Sequence, residues 1–347
     1  MDTNFFEKLE RSFNKMIASN QIHEAVVFVE NSNGEFSFSR GYGGKDIDSP
    51  LLMASITKMF TTTCILALRE RGRLSLDDKI SKYFYNSVLE GLHVYNGKEY
   101  SFDITLSDLL YQVSGLPDIY EEGNNSDKNR LINEDFSYTF NEAIRAIKKL
   151  DPHFEPGAKK RAYYSDINFD MLGEIIEKIM DMSLNNAYSR YIFEPLGLKN
   201  TYLQENENDY VPVIYCGDKA IYRPKFVMSS RGSGGCITTA REMMKFLKAF
   251  FRGDLFNKSV FDELPMYNKL QASMWPICYG SGYMRIPLGG LTTFFTAKGE
   301  LKGHSGSTGS FAFCYPDKDL FITGDFNQMN NAALPIKFSI KIAMMVK

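Results

Sequence analysis

The sequence lacks any long uninterrupted apolar run and any strong excess of charge of one sign. Its 347 residues are 44% apolar and 24% charged, and the formal net charge is −2. No apolar run has the length that a membrane-spanning helix needs. The near-neutral charge predicts no binding to nucleic acid or to a membrane surface. What remains is the composition of an ordinary globular protein with a large core, in one large domain or two closely joined domains.

Cysteine and histidine are scarce. The cysteines include no C-x-x-C pair, so we expect reduced structural thiols and neither a disulfide framework nor a zinc site. The four histidines show no spacing typical of a ligand pair, so we predict no histidine-based metal site and no cofactor. The cysteines are Cys64, Cys216, Cys236, Cys278 and Cys314.

The N-terminus lacks the basic segment and following apolar stretch of a secretory signal. The chain starts Met1-Asp2-Thr3-Asn4 and continues without either feature. On this basis we expect a cytoplasmic protein. The sequence predicts no particular oligomeric state.

Strand patterns occur near both ends of the chain, and helical patterns dominate between them. The strand predictions rest on apolar alternation between turn residues, and the helix predictions on apolar spacing of three and four. Predicted strands are 25–29, 36–38, 283–286, 292–296, 311–315 and 320–323. Predicted helices are 4–19, 56–71, 106–112, 140–150, 168–182, 240–251 and 332–346.

This order of elements predicts an α+β fold. An antiparallel sheet built from both chain ends and flanked by helices, with an inserted and mostly helical domain, is the simplest architecture that accommodates it. We expect the sheet domain to comprise residues 1–60 and 245–347, and the helical domain residues 61–244. A functional site is expected at their junction, where clefts tend to form.

One candidate for chemistry is the pair Ser55 and Lys58, which lies where an apolar segment passes into a helical pattern. Residues three apart share a helix face, so the hydroxyl and the amine are neighbours. A buried amine loses its proton more easily and can accept one from an adjacent hydroxyl. Ser12 and Lys15 have the same spacing, but Ser12 falls on the polar side of its helix and is expected on the solvated surface.

Two further segments favour the Ser55–Lys58 pair over the Ser12–Lys15 pair. They are Tyr164-Ser165-Asp166 and Gly303-His304-Ser305-Gly306-Ser307. Together with Ser55 and Lys58, and in this order, they resemble the motifs of the serine β-lactamase and penicillin-binding protein family. The tyrosine in the second segment resembles the class C β-lactamase branch, with its related D-peptidases and esterases. Flanking segments that also fit are 72–78, 109–118, 193–198 and 233–235.

The resemblance implies a β-lactamase/transpeptidase-like fold and a role for each motif residue. Ser55 would be the nucleophile, and Lys58 and Tyr164 would carry its proton. The backbone N–H groups of Ser55 and Ser307 would form the oxyanion hole. The expected substrate-binding residues are Asp166, His304, Ser305 and Gly306.

Each of these residues also has a structural interpretation that involves no catalysis. Ser55 alone could be a helix-start serine, and Lys58 a surface lysine. Tyr164 lies among aromatic neighbours and could belong to the core, while a lone histidine such as His304 is usually structural.

Two positions depart from the family pattern. Asp166 replaces the usual asparagine, and an ionised carboxylate accepts hydrogen bonds without donating any. Near Lys58 it would hold the lysine protonated and make it a poorer base, so we hypothesise that Tyr164 carries more of the proton transfer. His304 replaces a common lysine and removes a permanent positive charge, which puts recognition of a β-lactam carboxylate in doubt. Gln112 stands where relatives often have histidine.

The sequence therefore predicts a serine hydrolase that acts through a Ser55 acyl-enzyme. The expected substrate is a small molecule or peptide carrying an ester or amide, with D-aminoacyl and β-lactam-like compounds among the candidates. Neither nucleic acid nor membrane is an expected partner. The alternative is a protein of the same fold without turnover, either a penicillin-binding sensor that acylates and stalls or a binding protein.

Overall fold

The residues described by a computed structural model are 3–19, 21–123, 126–264 and 267–346. Met1 and Asp2, which belong to the segment predicted to lack a secretory signal, lie outside them. Helices in the described part are α1 Thr3–Ser19, α2 Thr57–Glu70, α3 Asn86–Leu89, α4 Leu106–Leu110, α5 Asp127–Asn133, α6 Phe140–Ile147, α7 Ile167–Met180, α8 Leu184–Tyr188, α9 Glu194–Leu196, α10 Pro224–Ser229, α11 Arg231–Gly234, α12 Ala240–Arg252, α13 Val260–Glu263 and α14 Leu334–Met345.

The strands are short in the middle of the chain and longer at both ends. They are β1 Ala25–Asn31, β2 Ser37–Tyr42, β3 Pro50–Leu52, β4 Val94–Tyr95, β5 Lys98–Glu99, β6 Tyr202–Leu203, β7 Ile214–Cys216, β8 Lys219–Ile221, β9 Cys236–Thr239, β10 Asn268–Lys269, β11 Cys278–Gly280, β12 Tyr283–Pro287, β13 Glu300–Ser305, β14 Ser310–Tyr315 and β15 Leu320–Asp325.

One eight-stranded antiparallel sheet joins the two ends of the chain. Its strand order is β10-β11-β12-β13-β14-β15-β1-β2, so the last strand pairs with the first. Val26 lies opposite Asp325 and Asn31 opposite Leu320 in this central pairing. The predicted antiparallel sheet and its assembly from both chain ends are confirmed.

Helices cover both faces of this sheet. The Thr323 hydroxyl donates to the Ala240 carbonyl at 3.1 Å, so the face that carries Thr323 and its cross-strand partner Ala312 contacts α12. Phe311 points to the opposite face because side chains alternate along a strand, and its ring lies 6.0 Å from that of Phe338 in α14. Since both faces are covered, β14 and β15 are buried along their whole length and most of their side chains are apolar.

The middle of the chain contains most of the shorter helices and most of a second sheet and a second, smaller apolar core. The residues of this second core are Leu52, Leu131, Phe136, Val211, Ile214, Ile221, Val227, Ile237 and Met329. The second sheet has the order β3-β9-β6, and β3 leads directly into the segment that carries Ser55. Helix α12 begins at Ala240, spans the predicted boundary at residues 244 and 245, and packs on β14 and β15. The division into a sheet domain and an inserted helical domain stays a prediction. Of the described helices, none is long and apolar enough to cross a membrane.

Two sequence-based predictions about local structure are wrong. The strand expected at 292–296 is a loop, in which Phe294 and Phe295 have φ of 50° and 63° and are 77% and 78% exposed. The strand in this region is β13, which follows the loop and contains Gly303, His304 and Ser305 of the third motif. Ser12 is only 5% exposed, because α1 packs against α14 and the Ser12 hydroxyl contacts Met345 Sδ at 3.8 Å.

Candidate active site

The first motif occupies a strained turn between β3 and α2. Ala54–Ile56 is a short 3₁₀ helix, and Ala54 has a φ of 45°, a left-handed conformation that costs a non-glycine residue free energy. The turn is held on both sides of Met53. The N–H of Met53 donates to the Cys236 carbonyl at 2.9 Å, and the Ser310 hydroxyl donates to the Met53 carbonyl at 2.8 Å. The second sheet, through Cys236 in β9, and the main sheet, through Ser310 in β14, thus both fix the backbone next to Ser55.

Lys58 follows one turn later and is completely buried. Its Nζ donates to Ser55 Oγ at 3.1 Å and to the Ser233 carbonyl at 2.7 Å. It also lies 2.6 Å from Oδ1 of Asp166 and 5.1 Å from the centre of the Tyr164 ring. The predicted pair of Ser55 and Lys58 is therefore in contact, and the second motif lies beside it.

Gln112 holds the second motif in place. It has a left-handed φ of 59° and no exposed surface. The N–H of Tyr163 donates to its backbone carbonyl at 2.9 Å, and the N–H of Ser165 donates to its Oε1 at 3.0 Å. The Ser165 hydroxyl donates to the Pro117 carbonyl at 2.7 Å, which ties the motif to the preceding loop. Tyr164 and Asp166, on either side of Ser165, are thereby directed at Lys58.

The third motif is the end of β13 and the turn after it. A Cβ on Gly303 would lie 2.0 Å from the Ala312 carbonyl oxygen, so only glycine fits this place in the sheet. A Cβ on Gly306 would lie 2.2 Å from Ser310 Oγ and 2.9 Å from the Ala54 Cβ. The missing side chain at Gly306 lets the turn approach the Ser55 segment closely. Ser307 lines the same pocket as Ser55.

The Tyr164 phenol is poised next to the nucleophile. Its oxygen is buried and has no hydrogen-bond partner of good geometry among the described residues. Burial, and then the charge of Asp166, raise its pKa well above the usual value, while the nearby Ser55 hydroxyl acts in the opposite direction. Tyr164 is therefore a neutral phenol at physiological pH.

His304 was predicted to face the substrate, but the structure places it in the interior. Its side chain is fully buried; Nδ1 lies 2.8 Å from the Ser305 carbonyl oxygen, and its ring centre is 6.0 Å from that of Tyr164. Burial, and then the charge of Lys58, lower its pKa to about 3. The imidazole ring is therefore neutral and packs next to the Tyr164 ring. Ser305 and Gly306 are also buried, and the Ser305 hydroxyl contacts Met284 Sδ at 3.9 Å.

Two buried carboxyl groups near Lys58 were not predicted as site residues. Asp118 Oδ1 accepts the N–H of Asp166 at 3.2 Å, and Asp170 Oδ1 accepts the N–H of Ser233 at 3.0 Å. Burial, and then the Asp166 charge, raise both pKa values, that of Asp170 to about 8. Asp170 lies four residues after Asp166 on one helix face, a spacing that could have indicated it from sequence.

A pocket beside Ser55 collects side chains that are distant in sequence. Its apolar part comes from the second core, and its polar part includes Ser55, Asp166 and Ser307. Tyr120 and Arg223 were not predicted to line this pocket, since no local pattern places them near a serine more than sixty residues away. The pocket has a volume of about 40 Å³, and three larger cavities, of about 290, 130 and 470 Å³, have no motif residue in their lining. The pocket is lined by Leu52, Ala54, Ser55, Tyr120, Leu131, Asp166, Ile214, Arg223, Phe226, Val227, Ser230, Ser233, Gly234, Ser307 and Thr308.

Comparison with known proteins gives similarity over most of the chain. Over 230 residues the sequence is 30% identical to Protein flp of Staphylococcus aureus strain MRSA252, covering 62% of this chain and 43% of that protein. The chain therefore spans less than half the length of this relative. It is also 23% identical over 290 residues to the Teichoic acid D-alanine hydrolase of Staphylococcus aureus, covering 80% of this chain and 66% of that protein.

Among solved structures, the D-stereospecific amidohydrolase from a Streptomyces species has the same fold. The TM-score is 0.77 at 22% identity, and the match covers 96% of this chain and 97% of the other. The β-lactamase/transpeptidase fold predicted from the three motifs is confirmed. The sequence profile of the Beta-lactamase family matches residues 7–337, nearly the whole chain. With its motifs gathered around one buried lysine, this chain belongs to the beta-lactamase family.

Proposed function

We propose that this protein is a serine hydrolase that transfers an acyl group from an ester or amide to Ser55 and then to water. The observation that carries the proposal is the contact of 3.1 Å between Lys58 Nζ and Ser55 Oγ at the edge of an accessible pocket. A serine hydroxyl becomes an effective nucleophile when a base adjacent to it can take its proton. Lys58 is the only amine in contact with Ser55 among the described residues.

The geometry favours Lys58 as the acceptor of the Ser55 proton. The Tyr164 phenol has a raised pKa, so it is protonated in the resting site and is not free to accept the Ser55 proton. The ion pair between Lys58 and Asp166, at 2.6 Å, offers a place for the lysine proton when Lys58 acts as base. In this proposal Tyr164 protonates the leaving group, which revises the hypothesis that Tyr164 is the main base.

We assign the oxyanion hole to the backbone N–H groups of Ser55 and Ser307. Both residues line the pocket, and Gly306 brings their two segments together. Two fixed donors stabilise the negative oxygen of the tetrahedral intermediate, and loss of one costs about 3 to 4 kcal/mol in comparable enzymes. Water then attacks the acyl-enzyme, with Lys58 and Tyr164 exchanging roles.

D-aminoacyl esters and amides are the substrate class we propose. Two similar proteins bear names that refer to D-alanine and to D-stereospecific amide hydrolysis. Asp166 lines the pocket with a carboxylate, which suits the free ammonium group of an aminoacyl substrate. His304 provides no positive charge for a β-lactam carboxylate, because its side chain is buried and neutral.

Labelling and turnover in parallel test the proposal. Wild type and Ser55→Ala are incubated with a fluorophosphonate, a fluorescent penicillin, nitrophenyl esters and D- and L-aminoacyl anilides. We expect labelling and turnover by the wild type, preference for D-aminoacyl substrates, and loss of both in Ser55→Ala. Ser12→Ala is the matched control, because Ser12 and Lys15 have the same spacing but Ser12 is buried against α14 and does not line the pocket.

The outcomes separate the proposed hydrolase from its alternatives. Absence of Ser55-dependent labelling and turnover contradicts the hydrolase. Stable penicillin labelling at Ser55 without turnover favours a sensor, for which the Lys58–Asp166 ion pair provides a reason, since a lysine that stays protonated cannot activate water.

A further inference from the structure

Arg223 brings a positive charge to the pocket that contains Ser55. It precedes helix α10, is partly buried, and lines the pocket together with Asp166 and Ser307. Three backbone carbonyls hold its guanidinium group. Nε donates to Leu131 at 2.6 Å, and the two terminal nitrogens donate to Ile132 at 3.1 Å and to Tyr222 at 2.9 Å. The side chain is therefore fixed in one orientation.

No acidic side chain in the described part of the chain forms an ion pair with Arg223. Asp135, at the same end of α10, uses its carboxylate to accept the N–H groups of Lys225 and Phe226 at 3.2 and 3.1 Å. Carbonyl oxygens satisfy hydrogen bonds but leave the guanidinium charge without a counter-charge. A partly desolvated cation of this kind attracts an anionic group, and arginine has five N–H donors, of which backbone carbonyls take only three here.

We infer that Arg223 is a specificity-determining residue that binds an anionic group of the substrate. This inference rests on the proposed function. The pocket offers a carboxylate from Asp166 and a guanidinium from Arg223 near the Ser55 hydroxyl, over an apolar floor that includes Leu131 and Val227. Such a surface suits an aminoacyl compound with an ammonium group on one side and an anion on the other. Carboxylate and phosphate share the required chemistry.

Equilibrium binding tests Arg223 without dependence on turnover. Calorimetry on Ser55→Ala compares D-alanyl-D-alanine with D-alanyl-D-alaninamide, and a D-alanyl ester of glycerol phosphate with the D-alanyl ester of glycerol. We expect the anionic member of at least one pair to bind about 10- to 100-fold more tightly, as is typical of a charge-assisted hydrogen bond. The pair with the larger ratio identifies carboxylate or phosphate.

The same measurement on Ser55→Ala combined with Arg223→Gln gives the contribution of the guanidinium. In Arg223→Gln we expect the affinity ratio between anionic and neutral ligand to fall close to one. Arg223→Lys should retain part of the ratio, because lysine keeps the positive charge but lacks the planar set of donors. Lys219→Gln is the matched control, because the exposed Lys219 ammonium donates to the same Ile132 carbonyl at 2.6 Å without lining the pocket. The affinity ratio measured for this control should equal that of the Ser55→Ala protein.

Two results would overturn the inference. One is an affinity ratio between anionic and neutral ligand that is near one for both pairs in the Ser55→Ala protein. This result needs no Arg223 variant, so misfolding of such a variant cannot cause it. The other is a ratio that Arg223→Gln leaves intact while the variant remains folded by circular dichroism. The fluorophosphonate label on wild-type Ser55 reports the hydrolase independently, so failure of the anion site and failure of the hydrolase are distinguishable.

Discussion

Lys58 Nζ lies 2.6 Å from Oδ1 of Asp166, and the lysine side chain has no exposed surface while the aspartate is 24% exposed. The carboxylate therefore faces both the buried ammonium and the pocket. Its charge also contributes to the raised pKa values of Asp118, Tyr164 and Asp170. A single substitution at Asp166 thus changes the titration of the whole cluster.

Asp166→Asn should move the acid limb of the kcat/KM profile to lower pH. The amide withdraws the counter-charge of Lys58. It also removes the Asp166 charge, which after burial is the second cause that raises the pKa of Asp170 to about 8. Both changes favour loss of protons at lower pH, and a shift of about one pH unit or more is expected for a charge at this distance. The profile is measured with a D-aminoacyl anilide between pH 4 and 10.

The control for this variant is Asp48→Asn, which removes an exposed carboxylate from an ion pair with Arg241 at 2.6 Å. Its profile should coincide with that of the wild type. A profile for Asp166→Asn that is also unchanged would count against coupling between Asp166 and the catalytic groups.

Asp170→Asn should reduce the pH dependence of stability. In the folded protein, burial and the Asp166 charge raise the pKa of Asp170 from 3.8 to about 8. Between these values the folded state holds a proton that the unfolded state has lost, so the free energy of unfolding falls as pH rises toward 8. The slope that this one group contributes is at most about 1.4 kcal/mol per pH unit, and the variant should lack it.

Urea unfolding at pH 6, 7 and 8 measures that slope. Asp127 and Asp325, whose pKa values burial raises to about 6, contribute equally to the wild type and to the variant, so the difference between the two slopes reports Asp170. Asp103→Asn, at an exposed carboxylate paired with Lys79, serves as the control and should keep the wild-type slope. Equal slopes in wild type and Asp170→Asn would contradict the buried, protonated state of Asp170.

The sheet and the order of the three motifs were predictable because they depend on local patterns. Short runs rich in apolar residues mark β1, β14 and β15, and the Ser55 motif lies immediately before a helical pattern. The loop at 292–296 misled the prediction, since threonine and phenylalanine favour strands but Phe294 and Phe295 adopt left-handed backbone conformations. The glycines on both sides of this segment favour a loop over a strand.

Burial and pocket lining were much harder to predict because they depend on contacts between distant segments. Ser12 is buried by a helix more than three hundred residues later. His304 is enclosed by Tyr279 and Tyr164, which come from two other parts of the chain. Arg223 reaches the pocket only because its guanidinium is held by carbonyls of 131 and 132. None of these contacts has a local sequence pattern.

His304→Gln should alter the rate without altering the pH values at which the rate changes. Burial and the charge of Lys58 lower the His304 pKa to about 3, so the ring is neutral throughout the working range and contributes no limb to the profile. The ring packs near Tyr164, so we expect a loss in kcat of about 10-fold, within the range for displaced catalytic groups. A limb near pH 6.5 in the wild type that disappears in His304→Gln would contradict this assignment.

Gly306→Ala should impair catalysis far more than folding. The added methyl would lie 2.2 Å from Ser310 Oγ and 2.7 Å from the Met53 carbonyl oxygen, so the turn must move away from the Ser55 segment. That movement separates the N–H groups of Ser55 and Ser307, and loss of one oxyanion donor typically lowers kcat by about 100- to 1,000-fold. Gly289→Ala is the matched control, because nothing lies within 4 Å of its added methyl. Turnover and the rate of fluorophosphonate labelling are measured for both variants, with thermal unfolding in parallel. A Gly306→Ala protein that keeps wild-type turnover would remove Ser307 from the oxyanion hole, because the displaced turn could no longer supply a fixed donor.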